Sequence, residues 1–284
     1  MTSISLATNA MNCRFELALP GDDPVRLRAI GEEALAEIER LDRQLSFYRP
    51  ESEISWINAR ATRKPVKVEP RLFRLLQLCG ELNLKTDGAF DITIGPLMRA
   101  WGFVGGKGRM ADEAEIEAAR EIIGMEHIGL DEESFTVRFD REGVAIDLGA
   151  IGKGYAVERA AGILRENGIS SGLLHGGTST VYAIGAQPDG RPWTIGLAEP
   201  LSGQVDLQDS GLSVSAVHGK SFMEDGIEFG HILDPRNGKP IRGNPAAAVV
   251  GPSPAICDAL STALLALGKQ EFKEFPDYHG IVKT

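Results

Sequence analysis

Three oxygen-bearing side chains, Asp258, Ser261 and Thr262, stand three and four residues apart in the last tenth of the sequence. At helical spacing such residues share one face. An all-oxygen set suits Mg²⁺, which keeps water and shares ligands with a substrate's phosphates. The same residues also satisfy an ordinary helix start, with Ser and Thr bonding back to a carbonyl and Asp258 favouring the N-terminus. A second run, Gly149-Ala150-Ile151-Gly152-Lys153-Gly154, separates an apolar stretch carrying Asp147 from a helical pattern. Strand, glycine turn and helix in that order present backbone N–H groups and a lysine to phosphate. The run spells neither a P-loop nor GxGxxG, and a structural turn would use the same glycines. Two details favour an anion: Asp147 interrupts apolar residues, and Lys153 sits at a helix start, where the dipole disfavours a cation unless an anion is near.

The segment His231-Ile232-Leu233-Asp234-Pro235-Arg236-Asn237-Gly238 gathers an imidazole, a carboxylate and a guanidinium. It reads either as a functional loop or as an Asp-Pro-x-Asn-Gly turn closing a hairpin, with Asp234 accepting from backbone amides. Aromatic residues next to glycines, in Phe90-Asp91-Ile92-Thr93 and Trp101-Gly102-Phe103, suit either a wall for an isoalloxazine or adenine ring or core packing, and Tyr48 is open in the same way. Together these pieces supply an anion-binding turn, a hard-metal site, an aromatic surface and a His/Asp/Arg segment. Phosphoanhydride chemistry on a flavin nucleotide asks for that combination.

The elements that must hold these residues are legible in outline. Residues 11–19 alternate imperfectly and read as a first strand. Asp22-Asp23-Pro24 opens a helix, with Ile30, Ala34, Leu35, Ile38, Leu41 and Leu45 at helical spacing. A short helix near Ile54-Trp56-Ile57, a helix over 70–86, a loop-rich stretch over 88–108 and a short acidic helix over 112–122 follow. Segments SFTVRFD and GVAIDLG read as a hairpin about Asp140-Arg141-Glu142-Gly143. A helix is expected from about Gly152 to Asn167, stopping at Gly168. Strands follow over GLLHGG, STVYAIG, WTIGLAE, QVDLQD and LSVSAV, then the loop GHILDPRNGKPI, the strand AAAVVG and a final helix after Pro252-Ser253-Pro254. The mixture is α+β, with antiparallel strands and helices packed outside them. No repeat or low-complexity linker divides the chain, so 1–284 reads as one domain.

Composition bounds the partners. The 284 residues carry 30 Lys+Arg against 40 Asp+Glu, a net charge of −10, which argues against nucleic acid and anionic lipid at long range. Hydrophobic residues at 43% and charged residues at 25% are ordinary globular values, which exclude disorder as the main state. Cys13, Cys79 and Cys257 lie far apart with no CxxC, which suits a reducing compartment. No stretch approaches the roughly 18 apolar residues of a membrane span, and the N-terminal residues lack the basic and apolar regions of a signal peptide. These features lead to the expectation of a soluble, cytoplasmic protein without stable membrane insertion.

With these segments in order, the sequence resembles the ApbE family, the FAD:protein FMN transferases. The resemblance runs from Met11 to about Gly268 through LDRQLSFYRPESEISWIN, GAFDITIGPLMRAWGF, IDLGAIGKGYAVERA, HILDPRNGKPI and CDALSTALLALG. It implies a two-lobed α+β fold related to the T-fold, with intertwined lobes. It implies that FAD binds with its riboflavin side near Met11, Tyr48, Ala89, Phe90 and Asp91, that Asp147 and Lys153 hold the ribityl and phosphate region, and that Ile232 contributes to the pocket. Mg²⁺ would be held by the Ala150 carbonyl, Asp258, Ser261 and Thr262, and His231 would act as catalytic base. The implied reaction is transfer of FMN from FAD to a Thr or Ser hydroxyl of an acceptor flavoprotein with release of AMP. FAD hydrolysis to FMN and AMP, or flavin binding without catalysis, are the alternatives. The sequence departs from many members at Ser215-Ala216-Val217, where Thr-Ser-Gly is common, and at His175, close to the Gly176-Gly177 pair, where Asn or Asp is common.

Overall fold

The computed structural model describes residues 3–217, 221–242, 245–268 and 272–283. Its N-terminus is a hairpin rather than the single strand expected over 11–19. Strands β1 (Ser3–Ala10) and β2 (Cys13–Pro20) pair antiparallel from Ser3 opposite Pro20 to Ala10 opposite Cys13. Met11 and Asn12 turn between them with φ of 50° and 57°. Two successive left-handed residues make the tightest hairpin turn, usually spelled with glycine; without that glycine, β1 gave no turn signal.

Helix α1 (Pro24–Leu45) begins where Asp23 caps it by accepting from the Arg26 N–H, and it buries Ile30, Ala34, Leu35, Ile38 and Leu41. After α2 (Glu53–Arg60), β3 (Val66–Lys67) and α3 (Pro70–Lys85) come two short helices, α4 (Gly95–Ala100) and α5 (Glu113–Arg120). The first lies inside the stretch read as loop; six residues starting at Gly-Pro are too few to show a helical period. Strands β4 (Ile128–Asp131) and β5 (Thr136–Phe139) follow, and β5 pairs with β3 and β4. The hairpin expected between β5 and 143–149 therefore does not form. Residues 144–148 run buried, without a strand ladder, between turns at Gly143 and Gly149. Ile146 N–H donates to Asn58 Oδ1 (2.8 Å), Asn58 Nδ2 donates to the Ile146 carbonyl (2.9 Å), and Asp147 N–H donates to the Ile92 carbonyl (2.7 Å). One asparagine side chain imitates a neighbouring strand there, which an apolar run cannot reveal.

The rest of the chain is α6 (Gly152–Glu166), β6 (Gly172–Gly176), β7 (Thr180–Ile184), β8 (Trp193–Gly196), β9 (Gln204–Leu207), β10 (Ser210–Ala216), β11 (Ser221–Glu224), β12 (Ile227–Asp234), β13 (Lys239–Arg242), β14 (Ala246–Gly251), α7 (Pro254–Leu267) and β15 (His279–Lys283). The 230–241 segment read as a loop is thus the hairpin of β12 and β13, and its Asp-Pro-x-Asn-Gly turn is the closing turn. Strand β15 was not anticipated; its alternation is short and its residues are mostly exposed or half-buried.

A seven-stranded sheet in the order β1-β2-β6-β7-β10-β14-β15, antiparallel throughout, forms the backbone of the fold. Alternation sends Phe15, Leu17, Leu19, Leu174, Tyr182, Ala247 and Val249 into the main core with the apolar faces of α1, α6 and α7. On the opposite face Val181, Ala183, Leu212, Ala246 and Ala248 pack under the β8–β9 hairpin. A third core joins α4 and α5 to the β11-β12-β13 sheet through Leu97, Trp101, Phe103, Ile116, Phe229 and Leu233. Among the described residues no helix is long and apolar enough to cross a membrane.

Candidate active site

A cavity of about 890 Å³ opens where the three cores meet, near the upper end of the size range of small-molecule sites. Of the residues singled out in the sequence, Met11, Tyr48, Ala89, Phe90, Asp91, Asp147, Ala150, Lys153, His231, Ile232, Asp258 and Thr262 line it. Ser261 does not; it is fully buried behind the wall.

The polar centre of the cavity is built by α6, α7 and β10. The first turn of α6 meets α7 at Gly154, where a Cβ atom would stand 2.2 Å from the Pro254 carbonyl oxygen and 2.8 Å from Asp258 Cβ. Only glycine permits that approach. It lets the Gly154 N–H donate to Asp258 Oδ2 at 2.9 Å. The other carboxylate oxygen, Oδ1, accepts from Ser213 Oγ at 3.0 Å and stands 3.6 Å from Lys153 Nζ. Asp258 is only 2% exposed, so its charge is balanced by these partners rather than by bulk water. The hydroxyl of Ser261 donates to the Asp258 carbonyl (2.9 Å) and lies 2.8 Å from Ser215 Oγ, which is also 3.1 Å from Thr262 Oγ1. The three α7 residues therefore act at two depths: Asp258 and Thr262 reach the cavity, while Ser261 backs them.

At one end of this centre the β1–β2 turn presents Met11, whose N–H donates to Asp42 Oδ1 at 2.9 Å. Half-exposed Tyr48 stands beside it, with its phenol pushed up from the ordinary value by burial and by the negative charge of Asp147. Asp147 turns its carboxylate back to accept from the Gly149 N–H at 2.8 Å, shaping the glycine run. Asp91 accepts from the Thr93 N–H (2.7 Å) and hydroxyl (2.6 Å); burial nevertheless raises its carboxyl above the usual range.

His231 enters from the small sheet. The β12–β13 register shifts between Phe229 and Leu233, and such an irregularity re-aims side chains. Successive residues His231 and Ile232 both line the cavity, which a regular strand would not allow. The edge of the His231 ring region meets Phe103, with centroids 6.5 Å apart. Below it, Asp234 Oδ1 accepts from the Arg236 N–H (3.0 Å) and Nε (2.9 Å), and Arg236 Nη2 also donates to the Ala266 carbonyl near the end of α7 (2.7 Å). Asp234 and Arg236 thus serve the turn and tie it to the large core.

Sequence reasoning missed Ser213 and Ser215 as neighbours of Asp258 and Thr262, and it missed Thr178, Ser179 and the loop around Leu197–Leu201 as cavity walls. A period-2 pattern of serines in a strand was their one signal, and it reads equally as a solvent face. His175 also lines the cavity, across the strand pair from Glu16; burial lowers its imidazole pKa.

Oxygen donors, a lysine and a glycine-rich helix start meet here without a histidine–cysteine cluster: among the described residues no three His, Cys, Asp or Glu side chains group to hold a metal. A carboxylate has about four lone-pair sites; Gly154 and Ser213 use one on each Asp258 oxygen, so each keeps another. That donor set fits a hard cation sharing ligands with phosphate oxygens.

The profile of the ApbE family matches residues 11–282. The FAD:protein FMN transferase of Escherichia coli strain K12 is 27% identical over 287 residues, covering 97% of this chain and 82% of that protein. Among solved structures, an ApbE protein from Thermotoga maritima superimposes with a TM-score of 0.90 at 28% identity, over 99% of this chain and 94% of that one. The apo form of the Pseudomonas stutzeri flavinyl transferase ApbE gives 0.83 at 31% identity, over 94% and 85%.

Proposed function

The chain belongs to the ApbE family, and from that premise we propose that it is an FAD:protein FMN transferase that moves FMN from FAD to a Thr or Ser hydroxyl of an acceptor protein and releases AMP. The carrying observation is that one cavity of about 890 Å³ holds Tyr48, Met11, Lys153, Asp258 and His231 in its wall. Those are the groups a flavin, its diphosphate and an attacking hydroxyl require. Relatives that bear the transferase name cover most of this chain.

In this reading the acceptor oxygen attacks the FMN-side phosphorus. A phosphoester bond forms, the bond to the bridging oxygen breaks, and AMP departs with that oxygen. The acceptor proton passes to the His231 imidazole, a general base whose removal costs roughly 10²–10⁴ in rate. Lys153 lies beside the diphosphate and meets negative charge on its oxygens as the bond breaks. Asp147 shapes the glycine turn that leads into Lys153 by accepting from the Gly149 N–H. The Ala150 carbonyl, Asp258 and Thr262 would hold Mg²⁺, with Ser261 behind them as support. Bound there, Mg²⁺ supplies Lewis-acid neutralisation of the diphosphate. Unpaired cysteines and the acidic charge support a cytoplasmic protein acting on an acceptor there or on the cytoplasmic face of a membrane.

Incubation of the full chain with FAD, Mg²⁺ and a candidate flavoprotein tests this. AMP release together with covalent flavin fluorescence on the acceptor band, and an FMN-sized gain in its intact mass, is the expected result. AMP release with no labelled acceptor would assign FAD hydrolysis instead, and no AMP would leave a flavin-binding protein.

A further inference from the structure

The geometry points to Ser213 and Ser215 as positioning residues for the divalent cation, an inference that rests on the metal reading above. Both serines lie on the face of β10 turned toward α7, while Leu212, Val214 and Ala216 alternate to the opposite core. Each serine meets a different part of the donor set.

Ser213 is fully buried. Its oxygen lies 3.0 Å from Asp258 Oδ1, 3.2 Å from Thr180 Oγ1 and 3.3 Å from the Ser179 carbonyl. Both Oδ1 and the Ser179 carbonyl only accept; the shorter contact and the negative charge direct the single Ser213 proton to Oδ1, and the Thr180 hydroxyl can donate to Ser213 in turn. With Gly154 N–H on Oδ2, both carboxylate oxygens are held from the protein side, which fixes the rotation of the group and leaves the remaining lone pairs facing the cavity.

Ser215 solves a different problem. A hydroxyl that binds a cation through oxygen must send its proton elsewhere. The contacts order into one relay: Thr262 O–H to Ser215 (3.1 Å), Ser215 O–H to Ser261 (2.8 Å), and Ser261 O–H to the Asp258 carbonyl (2.9 Å). Its direction is fixed at the carbonyl, which cannot donate. The competing bond from Thr262 to the same carbonyl is longer, at 3.4 Å. Ser215 therefore turns the Thr262 lone pairs outward, and Ser261 terminates the relay from its buried position.

Outer partners of metal ligands typically contribute about 10–100-fold to affinity. Mn²⁺ titration followed by its EPR signal, with ADP present as a diphosphate probe, measures this on the full chain without turnover. Ser213→Ala and Ser215→Ala are expected to weaken Mn²⁺ binding by about tenfold or more, while ADP binding without metal is unchanged. Ser215→Thr keeps the hydroxyl and restores wild-type affinity. Asp258→Ala serves as the reference, with Mn²⁺ binding lost. Wild-type titrations for Ser213→Ala and Ser215→Ala beside a dead Asp258→Ala would overturn the relay and leave the metal reading intact. A wild-type titration for Asp258→Ala would overturn the metal reading itself. Should Ser213→Ala not fold, the half-buried Ser215 series decides alone.

Discussion

Asp258 is held from two sides by Gly154 and Ser213, partners that belong to the same seven-stranded core, whereas His231 rides on a three-stranded sheet whose core is separate and aromatic. The first region is rigid through buried polar bonds, each aimed at one carboxylate or hydroxyl. The second is positioned by packing: Trp101 stacks on Phe229 (6.1 Å between centroids), Phe222 stacks on Phe229 (5.3 Å), and Phe103 meets the His231 ring. The half proposed to bind the diphosphate is thus held by fixed polar bonds, while the half proposed to accept the proton depends on docking the small sheet. Binding and chemistry should therefore separate by mutation.

The largest separation is expected at His231. Changing His231→Ala removes the proposed base and should slow FMN transfer by about 10²–10⁴, with FAD affinity by flavin-fluorescence quenching close to wild type. Equal losses in both would make His231 part of the binding wall and erase the contrast. Trp101→Ala attacks the packing instead. The indole is buried, and its Nε1 donates to the Gly238 carbonyl at 2.8 Å, clamping the turn between β12 and β13. A buried Trp→Ala change costs about 3–5 kcal/mol. Thermal unfolding should shift down accordingly, and at temperatures where the large core persists, transfer should fail while Mn²⁺ and ADP still bind. Simultaneous loss of both would show that the two regions fold as one unit.

A smaller effect is expected where the regions touch. Arg236 grips Asp234 through Nε (2.9 Å) and Nη2 (2.8 Å) and reaches the Ala266 carbonyl on α7 (2.7 Å). Lysine carries the charge but cannot form that fork. Its side chain is 38% exposed, so solvent discounts the ion pair, and Arg236→Lys should lower the transfer rate by roughly tenfold, about 1.4 kcal/mol, at unchanged FAD affinity. A change confined to affinity would mean that the turn grips substrate rather than setting His231.

The same contrast explains what could be read from the sequence. The Asp258 region was legible because its chemistry is local: Gly152-Lys153-Gly154 and Asp258 to Thr262 each fall within one helical turn or two. Their outer partners were not, because Ser213 and Ser215 meet α7 across separations of 45 to 47 residues, and serine alternating with leucine and valine looks like a wetted strand. His231 lines the cavity but was given to a loop, since Asp-Pro and Asn-Gly hide the two strands they join. Helices α1, α3 and α6 emerged close to their true bounds, and α7 close to its start, because long periodic segments repeat their signal. The turn at Met11-Asn12 and the buried run at 144–148 did not, because one takes left-handed backbone without glycine and the other pairs with a side chain.

Asp91 offers the finest test, as a cavity carboxylate in neither region. Burial is the main cause of its raised carboxyl pKa, opposed by the Thr93 bonds. Between the ordinary aspartate value, about 3.9, and its raised value, the folded state therefore binds more protons at this group than the unfolded state does. Linkage then gives a stability contribution that is fully present below the ordinary value and falls as pH rises through that window, flat above it. Carboxylates lowered by partners, such as Glu37 beside Arg40 and Asp209 beside the Gly185 N–H, slope the other way, so the quantity to measure is the difference between wild type and Asp91→Asn. Urea midpoints from pH 3.5 to 7 should show the variant gaining on wild type as pH rises, because asparagine removes the buried charge and still accepts from the Thr93 N–H. A constant difference across that range would mean that the Thr93 bonds already offset the burial, and the cavity floor would then be as well compensated as the Asp258 site.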